Sequence, residues 1–281
     1  ALQDSRLGGQ MVKNINGYSD FYDKDTYLSS FRPADNLYPW GSDIMNRSLN
    51  GYLKVGVPLN EDNSQNIALI ADYSFQDMDS YFGSTKYIAD QHSAYANLLY
   101  QNVISDEHKF TLGLNGIFDR YNEDFSRLVW MQNVSKTGVT DLANAGVFGE
   151  YTYRAGEKFT AIAGLRGDWF YQQGFKVSPR ATIKYMPVDE IVIRANGGRG
   201  LRYSTPLVDN IGVFSTSKEF VGAFDEHILE DAWTMGGNIT YYMPFGASSN
   251  TYLSFDYFRT QFAQQMVVDY EYGMNEIHFY A

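Results

Sequence analysis

The sequence predicts an all-β fold, an antiparallel up-and-down transmembrane β-barrel. Three observations predict it. Apolar and polar residues alternate with period two over segments of about ten residues. The connections between these segments alternate between short and long. Aromatic residues gather at the segment ends. A chain whose strands show one face to an apolar medium and the other to a polar one needs both patterns at once.

Composition sets the limits. The 281 residues carry 22 Lys+Arg against 33 Asp+Glu, a formal net charge of −11. Hydrophobic residues make up 44% and aromatics 16%, which excludes a disordered acidic tail. Cysteine is absent, so there is no disulfide scaffold, thiolate metal site or cysteine nucleophile. The acidic balance argues against a nucleic-acid partner, which leaves a basic footprint. No apolar run is long enough for a transmembrane helix. The mean hydropathy of −0.35 suits a membrane barrel, which hides its apolar surface in alternation. The opening ALQDSRLGGQ has neither a basic start nor an apolar stretch, so no signal peptide is expected.

The elements follow in order. In Asn46–Val57 one face holds Leu49, Leu53, Val55 and Val57, and the other Asn50, Tyr52 and Lys54. Asn66–Gln76 and Gln91–Val103 come next. Lys109–Asp119 sets Phe110, Leu112, Leu114 and Phe118 against Thr111, Asn115 and Asp119. After Ala145–Arg154, the stretch Glu157–Phe170 sets Phe159, Ala161, Ala163, Leu165 and Trp169 against Thr160, Arg166 and Asp168. Further strands are expected at Lys176–Met186, Ile191–Arg199, Thr234–Met243, Asn250–Thr260 and Gln264–Tyr270, with another begun at Glu276–Ala281. The total is about 12–13 strands.

Short connections fall at Pro58–Gln65, Ser105–His108, Ala155–Lys158, Pro187–Glu190 and Pro244–Ser249, and are built of turn-forming residues. Longer ones are expected at Ser19–Met45, Asp77–Asp90, Tyr121–Asn144 and Gly200–Asp231. In a meander every short turn falls at one end and every long loop at the other. Outer-membrane barrels have this asymmetry, although Tyr171–Phe175 is short where a long loop is due. Tyr73, Phe75, Tyr151, Tyr153, Trp169, Tyr241 and Tyr257 sit where aromatic girdles would meet the lipid headgroups.

Two longer stretches carry a family resemblance. GVFGEYTYRAGEKFTAIAGLRGDWF (Gly146–Phe170) contains Gly164, Leu165, Arg166, Gly167 and Asp168 after a short turn. VSPRATIKYMPVDEIVIRANGGRGLRYSTPLVDN (Val177–Asn210) contains Ser178, Pro179, Arg180, Tyr185, Pro187, Arg194, Ala195, Gly198, Gly200 and Arg202. With LEDAWTMGGNITYY and LSFDYFRTQFAQQMVVD further on, these resemble the barrel of TonB-dependent outer-membrane receptors. The resemblance is loose from Asn46 onward and close over Gly146–Asp269. It implies residence in the cell outer membrane and import of a scarce nutrient: a siderophore, haem, cobalamin or oligosaccharide. It also implies outer-membrane lipid as surroundings, TonB as energy source through an N-terminal region, and a plug domain inside a 22-stranded barrel. Neither plug nor TonB box is found, so all 281 residues are expected to be one partial barrel domain. The missing strands and plug are expected on a longer chain or on a partner chain.

Candidate functional residues follow from this placement. Arg166, Arg180 and Arg194 alternate onto the polar faces of consecutive strands, which line a barrel's lumen. With Asp168, Glu150 and Asp256 they are expected to form a charge ladder that holds a plug, or else ordinary cross-strand pairs. Tyr38, Trp40, Tyr81, Phe82, Trp130, Tyr203 and Phe214 fall in outer loops, where binding residues concentrate. They are candidates for stacking on a ligand, against loop-on-loop packing. The four histidines are scattered without metal spacing, and Gly197–Gly200 lacks the lysine of a phosphate loop. Asp20, Asp23 and Asp25 form one acidic cluster and Asp225, Glu226, Glu230 and Asp231 another, both read as solvated loop. No cofactor, metal or catalytic residue is expected. Two rival readings remain. A soluble all-β binding protein or adhesin would bury Leu112, Leu114, Leu165 and Ile193 between two sheets. An outer-membrane barrel hydrolase would converge Ser/His or Asp/His pairs at the rim.

Overall fold

The computed structural model describes residues 3–5, 42–83, 85–129, 132–216, 218–243 and 251–281. The strands are β1 (Gln3–Ser5), β2 (Ser42–Pro58), β3 (Gln65–Phe82), β4 (Thr85–Val103), β5 (His108–Val129) and β6 (Gln132–Ala155). Then come β7 (Phe159–Phe170), β8 (Gly174–Val188), β9 (Ile191–Tyr203), β10 (Glu219–Gly222), β11 (Leu229–Tyr242), β12 (Tyr252–Gln264), β13 (Val267–Asp269) and β14 (Glu276–Tyr280). One sheet takes eleven of them in the order β1 to β9, β11, β12, every neighbour antiparallel. This is the up-and-down meander of a barrel wall, open at β1 and β12. The remaining strands β10, β14 and β13 form a small separate sheet in which β10 and β14 run parallel.

The alternation decides which face meets which medium. Leu112, Leu114 and Leu165 are 50%, 57% and 59% exposed, and Ile193 is half-buried. A sandwich would bury all four. The outward face instead carries an unbroken apolar surface, including Leu49, Leu53, Val147, Ile239, Leu253 and Phe255. Trp169, Tyr171 and Tyr241 join it at or beside the strand ends, and Tyr257 at the middle of β12. An exposed apolar surface of that extent needs lipid to cover it.

Two expectations are corrected. The long loops expected at Asp77–Asp90 and Tyr121–Asn144 are strand: β3 and β4 pair out to Phe82↔Thr85, and β5 and β6 to Val129↔Gln132. Above Phe118 the outward residues of β5 turn polar at Arg120, Asn122 and Asp124. Lipid no longer selects apolar side chains there, so the alternation fades while the backbone ladder continues. The second correction concerns the C-terminal part. Gln264–Tyr270 and Glu276–Ala281 are not barrel strands, because β13 and β14 belong to the small sheet.

The buried core lies on the inner face at the outer end. The connection from β9 to β11 holds a one-turn helix α1 (Pro206–Asp209), a 3-10 turn (Ile211–Ser215) and β10. It folds back so that Phe214 stacks on Tyr87 with ring centroids 4.6 Å apart and on Phe82 at 6.2 Å. Phe125, Val213, Ile277 and Phe279 belong to the same cluster.

Candidate functional site on the inner face

The polar face of the wall is organised by ion pairs that cross strands. Glu150, Gly164, Arg180 and Gly198 stand in one row across β6, β7, β8 and β9. Arg180 reaches over β7 to Glu150 on β6. A Cβ on Gly164 would lie 3.0 Å from Arg180 Cγ and Nε, so the glycine opens that path. One row up, Arg166 Nε and Nη2 donate to Asp168 at 2.6 and 2.8 Å, and Asn144 Nδ2 adds a bond at 3.3 Å. Asp168 is 2% exposed and its carboxylate lies over Gly146, where a side chain would collide with it. A buried carboxylate with three donors is a satisfied one. Arg194 takes Asn238 at 3.1 Å, and Asn238 in turn donates to Asp256 at 2.7 Å. The six charged residues of the expected ladder therefore all sit on the wall. Two of the three arginines pair directly with carboxylates, and the third works through an asparagine.

Above the ladder lies a cavity of about 600 Å³ beneath α1. Arg166 and Asp168 form its lower edge, Asp119 and Tyr121 one side, and the β9 segment Arg199–Tyr203 the other. Arg199 holds Asp231 with two bonds, at 2.9 and 2.6 Å. Arg202 bonds Glu230 at 3.0 Å and Asp209 of α1 at 3.2 Å. Tyr121 lies above the apolar band and accepts a bond from Gln91 at 3.0 Å. Burial, with Asp119 nearby, pushes its phenol up to about 12, so it stays protonated at neutral pH. The cavity thus offers phenol, amide and hydroxyl groups, with guanidinium groups already neutralised by carboxylates.

The aromatic candidates part company. Tyr203 borders the cavity and its hydroxyl donates to the carbonyls of Tyr171 at 2.7 Å and Ala143 at 3.2 Å. Tyr81 and Phe214 are fully packed, at 2% and 0% exposure, and Phe82 is half-buried against Phe214. In this conformation these three are loop packing, the alternative named for them above. Tyr38, Trp40 and Trp130 lie outside the described residues, as do Asp20, Asp23 and Asp25. The second acidic cluster disperses: Asp225 faces Lys136 at 3.6 Å, and Glu230 and Asp231 bind arginines. Among the described residues no group of His, Asp and Glu converges as a metal site. Sequence reasoning did not single out Asp119, Tyr121, Asn144, Arg199 and Asp209 as site residues. All five lay in or at the ends of segments already noted, but the pairing that brings them together is between strands.

The comparisons agree with this geometry. The family model described as "TonB dependent receptor-like, beta-barrel" matches residues 3–277. None of the curated proteins compared matches the chain. Among solved structures, "Copper transporter OprC" superposes with a TM-score of 0.59 at 15% identity, covering 85% of this chain and 43% of that one. The siderophore receptor PiuA from Acinetobacter baumannii gives 0.56 at 13% identity, covering 84% and 42%. The ferric yersiniabactin uptake receptor FyuA from Yersinia pestis gives 0.52 at 12%, covering 79% and 36%. At these identities the likeness is one of fold, and the chain spans less than half the length of each of these receptors. An open antiparallel wall with an apolar outside and a charge-laddered inside, matched by the family model over nearly its whole length, places the protein: the chain belongs to the TonB-dependent receptor β-barrel family.

Proposed function

We propose that this chain is part of an outer-membrane receptor that binds a scarce nutrient and imports it with energy delivered through TonB. The observation that carries the reading is the two-faced wall. Its apolar outside suits lipid, and its inside carries Arg180–Glu150 and Arg166–Asp168 below a walled cavity. The Arg180–Glu150 pair suits a plug domain, because an exposed charge on a fixed wall forms and breaks contacts at small cost. Arg180 is 64% exposed along its side chain and so is reachable by such a partner. The cavity supplies the barrel side of a ligand site, and the plug supplies the other. The chemistry is binding and gated passage, with no covalent step. Remaining strands, on the same polypeptide or another, close the edges at β1 and β12.

The test is uptake by the full-length receptor. Cells expressing it as their only route for a supplied nutrient grow when TonB is present and fail when TonB is deleted, with the protein recovered in the outer-membrane fraction. Growth independent of TonB, or recovery in a soluble fraction, overturns the reading.

A further inference from the structure

The wall is split beside the cavity. Registered pairing of β8 with β9 runs from Tyr185↔Ile193 to Arg180↔Gly198 and ends there. Beyond that point Gly174–Pro179 remains paired with β7, and Arg199–Tyr203 with β11, but the two segments are not registered with each other. The branch lies at Pro179, which has no N–H to give to a ladder. Val177 shows which edge is involved, because its carbonyl faces β9 and accepts a bond from Arg199 Nη1 at 2.8 Å. With a period of two, Pro179 shares that edge with Val177, so the missing donor falls where the next bond to β9 is due. Tyr203 likewise crosses to the carbonyl of Tyr171. The Arg199 side chain thus serves a main-chain acceptor that a neighbouring strand would otherwise serve.

We propose that this split binds a short extended peptide as an added strand, entering from the cavity. The proposal rests on the reading of the cavity as the barrel side of the ligand site. The open segment Arg199–Tyr203 is five residues long, about 17 Å of strand at the usual rise, and matches a peptide of four to six residues. Strand addition takes its affinity from main-chain bonds, and beyond Arg180↔Gly198 neither edge is registered with the other, although a peptide must displace Arg199 from the Val177 carbonyl. The guanidinium groups beside the split are already neutralised, Arg166 by Asp168 and Arg202 by Glu230 and Asp209. A strand held by its main chain needs no free charge there, which suits a peptide better than a ligand held by its charge.

The test uses the full-length receptor in detergent and an equimolar pentapeptide library, with retained species read by mass spectrometry after dialysis. A second library carries N-methyl groups on alternate amides, which removes the donors of one strand edge. Retention of the first library, and at least tenfold less of the second, supports strand addition. Equal retention of both, or of neither, overturns it. The variant Pro179→Ala restores the N–H and allows β8 and β9 to pair, so peptide retention is expected to fall at least tenfold. Unchanged retention by a folded P179A overturns the proposal, and the library comparison on the unaltered receptor decides the matter if the variant does not fold. TonB-dependent growth on another nutrient without peptide retention sinks the peptide proposal and leaves the receptor reading intact. Peptide retention without TonB dependence does the reverse.

Discussion

Arg180 of β8 reaches Glu150 of β6 by lying across Gly164 of the intervening strand, so one ion pair spans three strands of the wall. The glycine is what permits it. A larger residue at Gly164 meets Arg180 Cγ and Nε at 3.0 Å, and the arginine must lift off the wall. In a double-mutant cycle with Arg180→Ala and Glu150→Ala, the coupling is expected at about 0.2–1 kcal/mol, since the arginine is largely solvated. In a Gly164→Val background the coupling is expected to vanish. Urea unfolding from lipid vesicles reads both cycles, and coupling that survives Gly164→Val refutes the role given to the glycine.

The outward face makes a directional prediction. Leu165 stands on the outer, apolar face of β7, and Arg166 beside it on the inner, polar face. Leu165→Arg is expected to cost about 2–4 kcal/mol if it lies near the bilayer midplane. Ser178→Arg, on the wet face beside Arg166, is expected to cost less than half as much. Vesicle unfolding of the two variants compares them directly, and equal costs would mean that Leu165 does not face lipid.

The folded-back outer loop depends on a small core. Phe214 is wholly buried between Tyr87, Phe82 and Phe125. Phe214→Ala removes an aromatic side chain from a packed site and should destabilise the loop by about 3–5 kcal/mol. Hydrogen exchange is the readout: protection of Leu207–Ile228 collapses while that of β7 and β8 holds. Tyr87→Phe is milder. It deletes the 2.7 Å bond from the phenol to Glu123 and leaves a buried carboxylate oxygen unpaired, at a cost of about 1–3 kcal/mol.

Arg127 makes a prediction of the opposite sign. It lies on β5 above the apolar band, 3% exposed, with the Phe220 ring 4.7 Å from its guanidinium carbon. Among the described residues neither terminal nitrogen has a hydrogen-bond partner. Burial pushes its pKa down to about 10. A base whose pKa is lowered on folding opposes folding while it is charged, and the penalty is fully present below the folded value. As pH rises from about 10 toward 12.5 the folded form sheds the proton first, so the unfolded state holds more protons and stability rises. Arg127→Met removes the penalty and is expected to be neutral or to stabilise the loop core by up to about 4 kcal/mol at pH 7. The gap between variant and parent should narrow above pH 10. A clear loss of stability in R127M at pH 7 would show that the guanidinium is satisfied by a partner.

Strand and face were legible in the sequence wherever a medium selected side chains. Leu112, Leu114 and Leu165 alternate with Thr111, Asn115 and Arg166 because lipid lies on one side and water on the other. That contrast is written into successive residues, and it sufficed for the meander and the outward face. Beyond Phe118 both sides are wet, so nothing in the residues distinguished a paired strand from a loop. The ladders to Phe82 and Val129 became visible only as backbone hydrogen bonds. The same holds for the site. Asp119, Tyr121, Arg199 and Asp209 are separated in sequence by up to 90 residues and meet only through strand register and the fold-back of α1. Register is a property of two strands, and no single strand encodes it. By itself the sequence determined the fold class and the apolar outward face of the strands. The tertiary structure alone decided that Phe214 and Tyr81 are packing, that Arg180 spans three strands, and that the wall parts at Pro179.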